Sequence, residues 1–178
     1  MKTLKTVQTL SKIGRVLSKI VFIFCIVGFC GCLVGVAGLL AGAEALKLGG
    51  MTLHGLLEAE AEMSLPDTYA AIAIGLVFCA AEAVLSKFAE VYFKRELADG
   101  TPFTLRGAKE LLRLGILTIA IPTGALIVCA IGMGVARQLV PELRELSVDG
   151  FGSVGLGLGM IVASLLCRLG AETAKNEE

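Results

Sequence analysis

Residues 21–43 read VFIFCIVGFCGCLVGVAGLLAGA, an apolar stretch without a charge that lies between Lys19 and Glu44. A helix needs about 20 mostly apolar residues to cross the hydrocarbon core of a bilayer, and this stretch is long enough. Backbone groups in lipid must form hydrogen bonds within their own segment, so a helix is the expected form. Three further windows have the same character. The predicted spans are about 20–43, 68–92, 113–136 and 151–170.

The composition is that of a membrane protein. Of the 178 residues, 56% are hydrophobic, whereas a soluble domain must present polar side chains to water. The 16 basic and 16 acidic residues balance, so no net charge favours direct binding of nucleic acid. We therefore predict an all-α polytopic membrane protein with four transmembrane helices in one domain, residues 20–172.

The distribution of charge predicts the orientation. Residues 1–19 carry five bases and no acid, and residues 87–113 carry six bases. Residues 44–67 carry one base, and residues 137–149 carry two. Because basic loops stay on the cytoplasmic side, both termini and the central loop are predicted to be cytoplasmic. Residues 173–178 then form a short polar cytoplasmic tail.

The N-terminal segment, residues 1–19, combines lysines with a regular apolar pattern. The apolar run that follows this segment, residues 21–43, is longer than the apolar core of a signal peptide, so we expect an uncleaved first helix. Two interpretations of the segment remain open: an amphipathic helix on an anionic membrane surface, and a simple basic tail. The apolar positions at helical spacing are Leu4, Val7, Leu10, Ile13 and Leu17.

The central loop is predicted to join two helix ends. Gly100 follows Asp99 in a turn pair, and Pro102 suits a turn or a first helical position. Thr104 is a candidate N-cap for the third helix. Phe103 and the neighbouring base Arg106 would then be an exposed surface for recognition.

Glu82 is the single charge within the second apolar window. It lies five residues before Lys87, about 7 Å inside the predicted cytoplasmic edge. A charge at that depth is costly unless it is paired or solvated, so candidate partners are Arg113, Arg168 and Lys19. Three interpretations remain open: a carboxyl that fixes helix packing, an ion- or proton-handling group, and a residue in the headgroup zone.

Glycines recur four residues apart in the first and fourth helices. Glycine at this spacing lets helix backbones approach closely, so both helices are candidates for tight packing. The contact could form within one chain or between copies of it. The candidate packing glycines are Gly31, Gly35, Gly38, Gly42, Gly155 and Gly159.

The sequence shows no catalytic, cofactor or metal motif. His54 is the only histidine, and its stripe with Glu58 and Glu62 is interpreted as a solvated acidic face. Residues 150–155 match part of a dinucleotide-binding glycine pattern but lack the preceding strand that such a site requires. The six cysteines all lie in apolar runs, which is typical of packing residues. We therefore predict no enzyme activity, no cofactor and no metal.

The central loop resembles that of a known bacterial family. The run Gly100-Thr101-Pro102-Phe103-Thr104, followed by Leu111, Arg113, Leu114 and Gly115, is similar to a recurring G-x-P-F-[ST] loop of the YoaS-like group. That group consists of short membrane proteins of unknown function with four predicted spanning helices. The resemblance implies the bacterial cytoplasmic membrane and no specific activity. The C-terminal segment is shorter than is usual in the group.

Two functions are compatible with these features. The leading hypothesis is a non-enzymatic accessory or regulatory membrane protein that acts through helix packing and its basic cytoplasmic loop. Its expected partners are the lipid bilayer and either further copies of itself or another membrane protein. The alternative is an oligomeric ion channel or small-solute transporter in which Glu82 lines the pathway.

Overall fold

Helices dominate the structure, a computed structural model that describes residues 2–40, 47–48, 51–52, 65–100, 104–143 and 151–176. The helices are α1 Lys2–Leu40, α2 Leu65–Asp99, α3 Leu105–Leu139 and α4 Phe151–Asn176. Between α1 and α2 lies a short antiparallel hairpin formed by β1 Lys47–Leu48 and β2 Met51–Thr52.

The predicted all-helical architecture is confirmed, because four helices are long and apolar enough to cross a membrane. Helix α1 has 39 residues, and α2 and α3 have 35 each. At 1.5 Å per residue these helices are about 52–58 Å long, far more than a hydrocarbon core of about 30 Å. Helix α1 runs unbroken from Lys2 through the first apolar stretch, so the N-terminal segment and that stretch share one helix.

Helices α1 and α2 pack antiparallel along most of their lengths. At one end the Gln8 side-chain amide donates a hydrogen bond to the Gly100 carbonyl oxygen at 3.3 Å. Near the other end, a methyl group added at Gly35 would lie 3.3 Å from the Cδ1 atom of Ile72. Further pairs between these ends keep the same register. They are Gly14 with Phe93, Gly28 with Cys79, and Cys32 with Gly75.

Helices α3 and α4 also pack antiparallel, and glycine sets their separation. A methyl group added at Gly115 would lie 2.9 Å from Cγ1 of Ile161, and one at Gly157 would lie 2.8 Å from the Gly115 carbonyl oxygen. Such short separations exclude any side chain, so the two backbones approach as closely as two glycines allow. Helix α3 continues unbroken through Pro122, which is buried.

The turn between α2 and α3 is built from the residues that the sequence indicates. Gly100 has φ +75°, a left-handed conformation that favours glycine after a helix end, and its N–H donates to the Glu96 carbonyl oxygen at 3.1 Å. Thr104 caps α3, because its hydroxyl oxygen accepts from the Gly107 N–H at 2.9 Å. This turn brings the charged parts of α2 and α3 together.

Among the described residues, the extensive helix interfaces join α1 with α2, α2 with α3, and α3 with α4, and we call this row of four helices the open arc. Helix α1 contacts the face of α2 that carries Phe93, whereas α3 contacts the face that carries Phe88 and Arg95. Large apolar side chains stay exposed on the outside of the arc, including Phe24 at 71% and Ile131 at 63%. Exposure of this kind is expected where lipid replaces water as the solvent.

Candidate functional site

Polar and charged groups gather at the end of the arc where α1 and α3 begin and α2 and α4 finish. We call this the charged end and define it by residues 8–19, 87–100, 104–113 and 167–173. The antiparallel packing brings these four segments to the same level along the helix axes. Cys167 of α4, for example, lies close enough to Glu96 of α2 to interact with it electrostatically.

An ion-pair network joins α2 to α3 at the charged end. The Arg95 guanidinium lies 2.7 Å from Oε1 of Glu110, and Arg106 lies 3.5 Å from the same oxygen. Glu110 is less exposed than either arginine, with 22% of its side chain accessible against 53% for Arg95 and 71% for Arg106. Arg106, a candidate of the interaction loop, therefore remains largely accessible while one of its nitrogens binds Glu110.

An aromatic layer lies next to this network. The Arg113 guanidinium stacks over the Phe88 ring at 5.7 Å from its centroid, and both line a small open pocket between α2 and α3. Tyr92, only 7% exposed, meets the Phe93 ring edge to face with centroids 5.3 Å apart. The Tyr92 hydroxyl has a hydrogen-bond partner in the Glu96 carboxylate. The aromatic layer thus links the contact between Phe93 and α1 to the contact between Phe88 and Arg113 of α3.

Glu82 lies away from this layer, in the contact between α1 and α2. It is partly buried and close enough to the Cys25 thiol of α1 for an electrostatic interaction. Ion pairs between described residues do not include Glu82. Arg113 instead contacts Phe88, and Arg168 pairs with Glu172 at 2.8 Å. The structure therefore places the two candidate arginines in other contacts.

The candidate packing glycines differ in their surroundings. Gly35 faces α2, whereas a methyl group added at Gly31, Gly155 or Gly159 would meet nothing within 4 Å. Gly38 lies near the end of α1, and Gly42 lies outside the described residues. A spacing of four residues between glycines therefore does not distinguish a glycine in a helix contact from one on an open face.

Among the glycines in helix contacts, those of α1 had a sequence signal other than the spacing of four. On α1, small residues recur at steps of three and four, with one step of seven between Ser18 and Cys25, a heptad-like pattern that marks one helix face. Gly157 of α4 had no such signal, since it stands between Gly155 and Gly159 in a glycine-rich run. The small residues of the α1 pattern are Ser11, Gly14, Ser18, Cys25, Gly28, Cys32 and Gly35.

Several predicted residues lie outside the described part of the chain. Of the interaction loop, Gly100, Thr104 and Arg106 are described and Pro102 and Phe103 are not. The acidic stripe that begins at His54 is also outside it. Within the described ranges, no group of three histidine, cysteine or acidic side chains is placed to hold a metal ion.

No protein family, curated protein or solved structure matches this chain. The resemblance to the YoaS-like group therefore stays a prediction.

Proposed function

We propose that the protein is a non-enzymatic accessory component of the bacterial cytoplasmic membrane that binds another membrane protein at its charged end. The observation that supports this proposal most directly is an exposed apolar face on α4 at the level of the charged residues of α2. Three leucines on this face are 55%, 64% and 65% exposed: Leu165, Leu166 and Leu169.

The position of these leucines relative to the membrane is inferred from the residues of α2 that lie beside them. The leucines flank Cys167, which lies near Glu96 of α2. Glu96 lies nine residues beyond Lys87, the first charged residue after the apolar part of α2, which corresponds to about 13 Å along the helix. If Lys87 marks the edge of the hydrocarbon core, the α4 leucines lie at or near the headgroups, at the end of the candidate span Ser153–Thr173.

An exposed leucine cluster at the edge of the hydrocarbon core is available to bind another protein. Burial of apolar area stabilises such a contact by about 25 cal/mol per Å². Arg106 supplies an exposed polar group at the same end of the arc, and the loop residue Phe103 follows the turn at Gly100 in the sequence. Apolar contacts on α4 and polar contacts at the loop would together select the partner.

Site-specific photocrosslinking in native membranes tests this function. A photoreactive residue at position 166 should form one discrete protein adduct, and Arg106→Ala should weaken its formation. A matched probe at Ile131, which is equally exposed but lies in the uncharged part of α3, should form no such adduct. The mass of the adduct shows whether the partner is a second copy or another protein. The same adducts from both positions, or lipid adducts alone, would refute the proposal.

One observation favours the alternative, an oligomeric channel or transporter. Glu82 lies within an apolar stretch, and no described ion pair includes it, as expected of a group that handles an ion. Under this alternative, purified protein in liposomes carries an ion flux that Glu82→Gln abolishes without unfolding the protein. An absence of flux from the unmodified protein under ion and proton gradients would remove the alternative.

A further inference from the structure

Three basic residues, Arg15, Lys19 and Lys87, lie where the apolar part of α1 begins and that of α2 ends. Lys19 immediately precedes the uncharged stretch of α1, and Lys87 is the first base after the apolar stretch of α2. Between them lies Glu90, whose Oε2 is 2.8 Å from the Lys87 ammonium. Gly14 of α1 packs against Phe93 of α2 and Phe22 lies beneath Lys87, so Arg15 and Lys19, which lie between Gly14 and Phe22 on α1, are at the level of Glu90. Three bases therefore surround one acid, which leaves a net charge of about +2 at this position.

Glu90 holds Lys87 in place by an ion pair, while the three basic side chains remain accessible. Glu90 is 15% exposed, whereas Lys87 is 57% exposed. Lys19 and Arg15 are also exposed. The ion pair holds Lys87 at the contact between the helices, where its ammonium lies 5.3 Å from the centroid of the Phe22 ring of α1. The cluster thus presents positive charge directly above an aromatic side chain.

An apolar surface continues from this point into the uncharged part of α1. Ile26 lies four residues after Phe22, on the same face of the helix, and is 43% exposed. A ligand with an anionic head and an apolar tail would match this order of surfaces. The head would meet the bases, and the tail would follow Phe22 and Ile26.

We propose that Arg15, Lys19 and Lys87 bind the phosphate group of an anionic phospholipid, with one acyl chain along Phe22 and Ile26. Basic groups at the edge of the hydrocarbon core lie at the depth of lipid phosphates, and basic clusters between transmembrane helices are recognised sites for anionic headgroups. Ammonium and guanidinium donors form charge-assisted hydrogen bonds with phosphate oxygens. The net positive charge favours an anionic lipid over a zwitterionic one.

Native mass spectrometry of the full-length protein in a neutral detergent tests the proposal. Phosphatidylglycerol and phosphatidylcholine with identical acyl chains are added in separate titrations. The unmodified protein should retain phosphatidylglycerol preferentially. Lys19→Gln and Arg15→Gln should each weaken its retention about fivefold, the effect of one basic residue near an anionic surface. Lys19→Arg should restore it, and Lys109→Gln on α3 should leave it unchanged.

Three results would overturn the proposal: equal retention of the two lipids, equal effects of Lys19→Gln and Lys109→Gln, or displacement of the lipid by millimolar inorganic phosphate. Displacement by phosphate would show a site for a free anion that does not recognise the acyl chain. Thermal unfolding of each variant in phosphatidylcholine, where the site should be empty, separates loss of binding from loss of folding.

Discussion

Gly115 of α3 and Gly157 of α4 face each other so closely that a methyl group added at Gly157 would lie 2.8 Å from the Gly115 carbonyl oxygen. This contact sets the separation of the two helices. It also lies beside buried Thr118, whose hydroxyl donates to the Leu114 carbonyl oxygen at 2.9 Å. The α3–α4 contact is therefore close because its residues are small, and the buried Thr118 hydroxyl is satisfied within α3 itself.

The first prediction concerns this contact. Gly157→Ala should lower the free energy of unfolding by about 1–3 kcal/mol, because the added methyl group forces the helices apart. Gly159→Ala, two residues away on an open face, should be neutral or stabilising by up to about 1 kcal/mol, since alanine is the better helix former. Unfolding in sodium dodecyl sulfate, followed by far-UV circular dichroism, measures both. Equal effects at the two glycines would contradict the structure.

The second prediction concerns the α1–α2 contact at Gly14. A methyl group added there would lie 2.7 Å from the Phe93 ring, so Gly14→Ala should destabilise the protein by about 1–3 kcal/mol. Phe93→Leu removes the ring and should reduce the cost of Gly14→Ala, with a coupling energy of about 0.5–3 kcal/mol in a double-mutant cycle. Gly31→Ala, which meets nothing within 4 Å, is the control for the alanine itself. Additive effects of Gly14→Ala and Phe93→Leu would show that the two residues do not touch.

The third prediction concerns Glu82. A charged group in an apolar helix contact costs a few kcal/mol unless it is solvated or paired, so Glu82→Gln should raise the free energy of unfolding by about 1 kcal/mol. Glu90→Gln removes the acid beside Lys87 and should do the opposite, with only a small effect because Lys87 is exposed and water screens the pair. The same unfolding titration compares the two variants. Destabilisation by Glu82→Gln would instead indicate that the carboxylate has a stabilising partner.

The fourth prediction concerns the ion pair between α2 and α3. The coupling energy of Arg95 and Glu110 should be about 0.2–1 kcal/mol, because Arg95 is half exposed and water screens the charges. A double-mutant cycle with Arg95→Gln and Glu110→Gln measures it, and 1 M salt should reduce it. The Arg168–Glu172 pair, which lies within one helix, serves as a comparison. Coupling that persists unchanged in 1 M salt would argue against a solvent-exposed pair.

The fifth prediction concerns membrane insertion and orientation. The protein should stay in the membrane pellet after carbonate extraction, since lipid covers its exposed apolar faces. A fluorescent protein fused after Glu178 should fluoresce, and alkaline phosphatase fused after Gly50 should be active, because basic segments remain cytoplasmic. An active phosphatase at the C-terminus would reverse the predicted orientation.

The sequence predicts the helices well because their signal is local. Hydropathy along each window does not depend on what the window packs against, and residues 21–43 alone are sufficient to predict a spanning helix. The turn at Gly100 and the cap at Thr104 were equally predictable, since each follows from the conformational preference of one residue. The exact helix ends were less so, because charged residues that end an apolar window need not end the helix. Helix α1, for example, begins at Lys2, whereas the uncharged window begins only after Lys19.

Contacts between helices depend on information that a single window does not contain. Gly157 packs against α3 while Gly155 and Gly159 stay open, and these alternatives differ only in the rotation of α4 about its axis. The position of Glu82 beside Cys25 likewise depends on the register of α2 against α1. Local hydropathy was therefore enough to predict four helices compatible with lipid. The order of the helices in the open arc and their rotation about their own axes depend instead on how their side chains fit together. The physical reason is that hydrophobicity adds up residue by residue, and steric complementarity exists only between two surfaces.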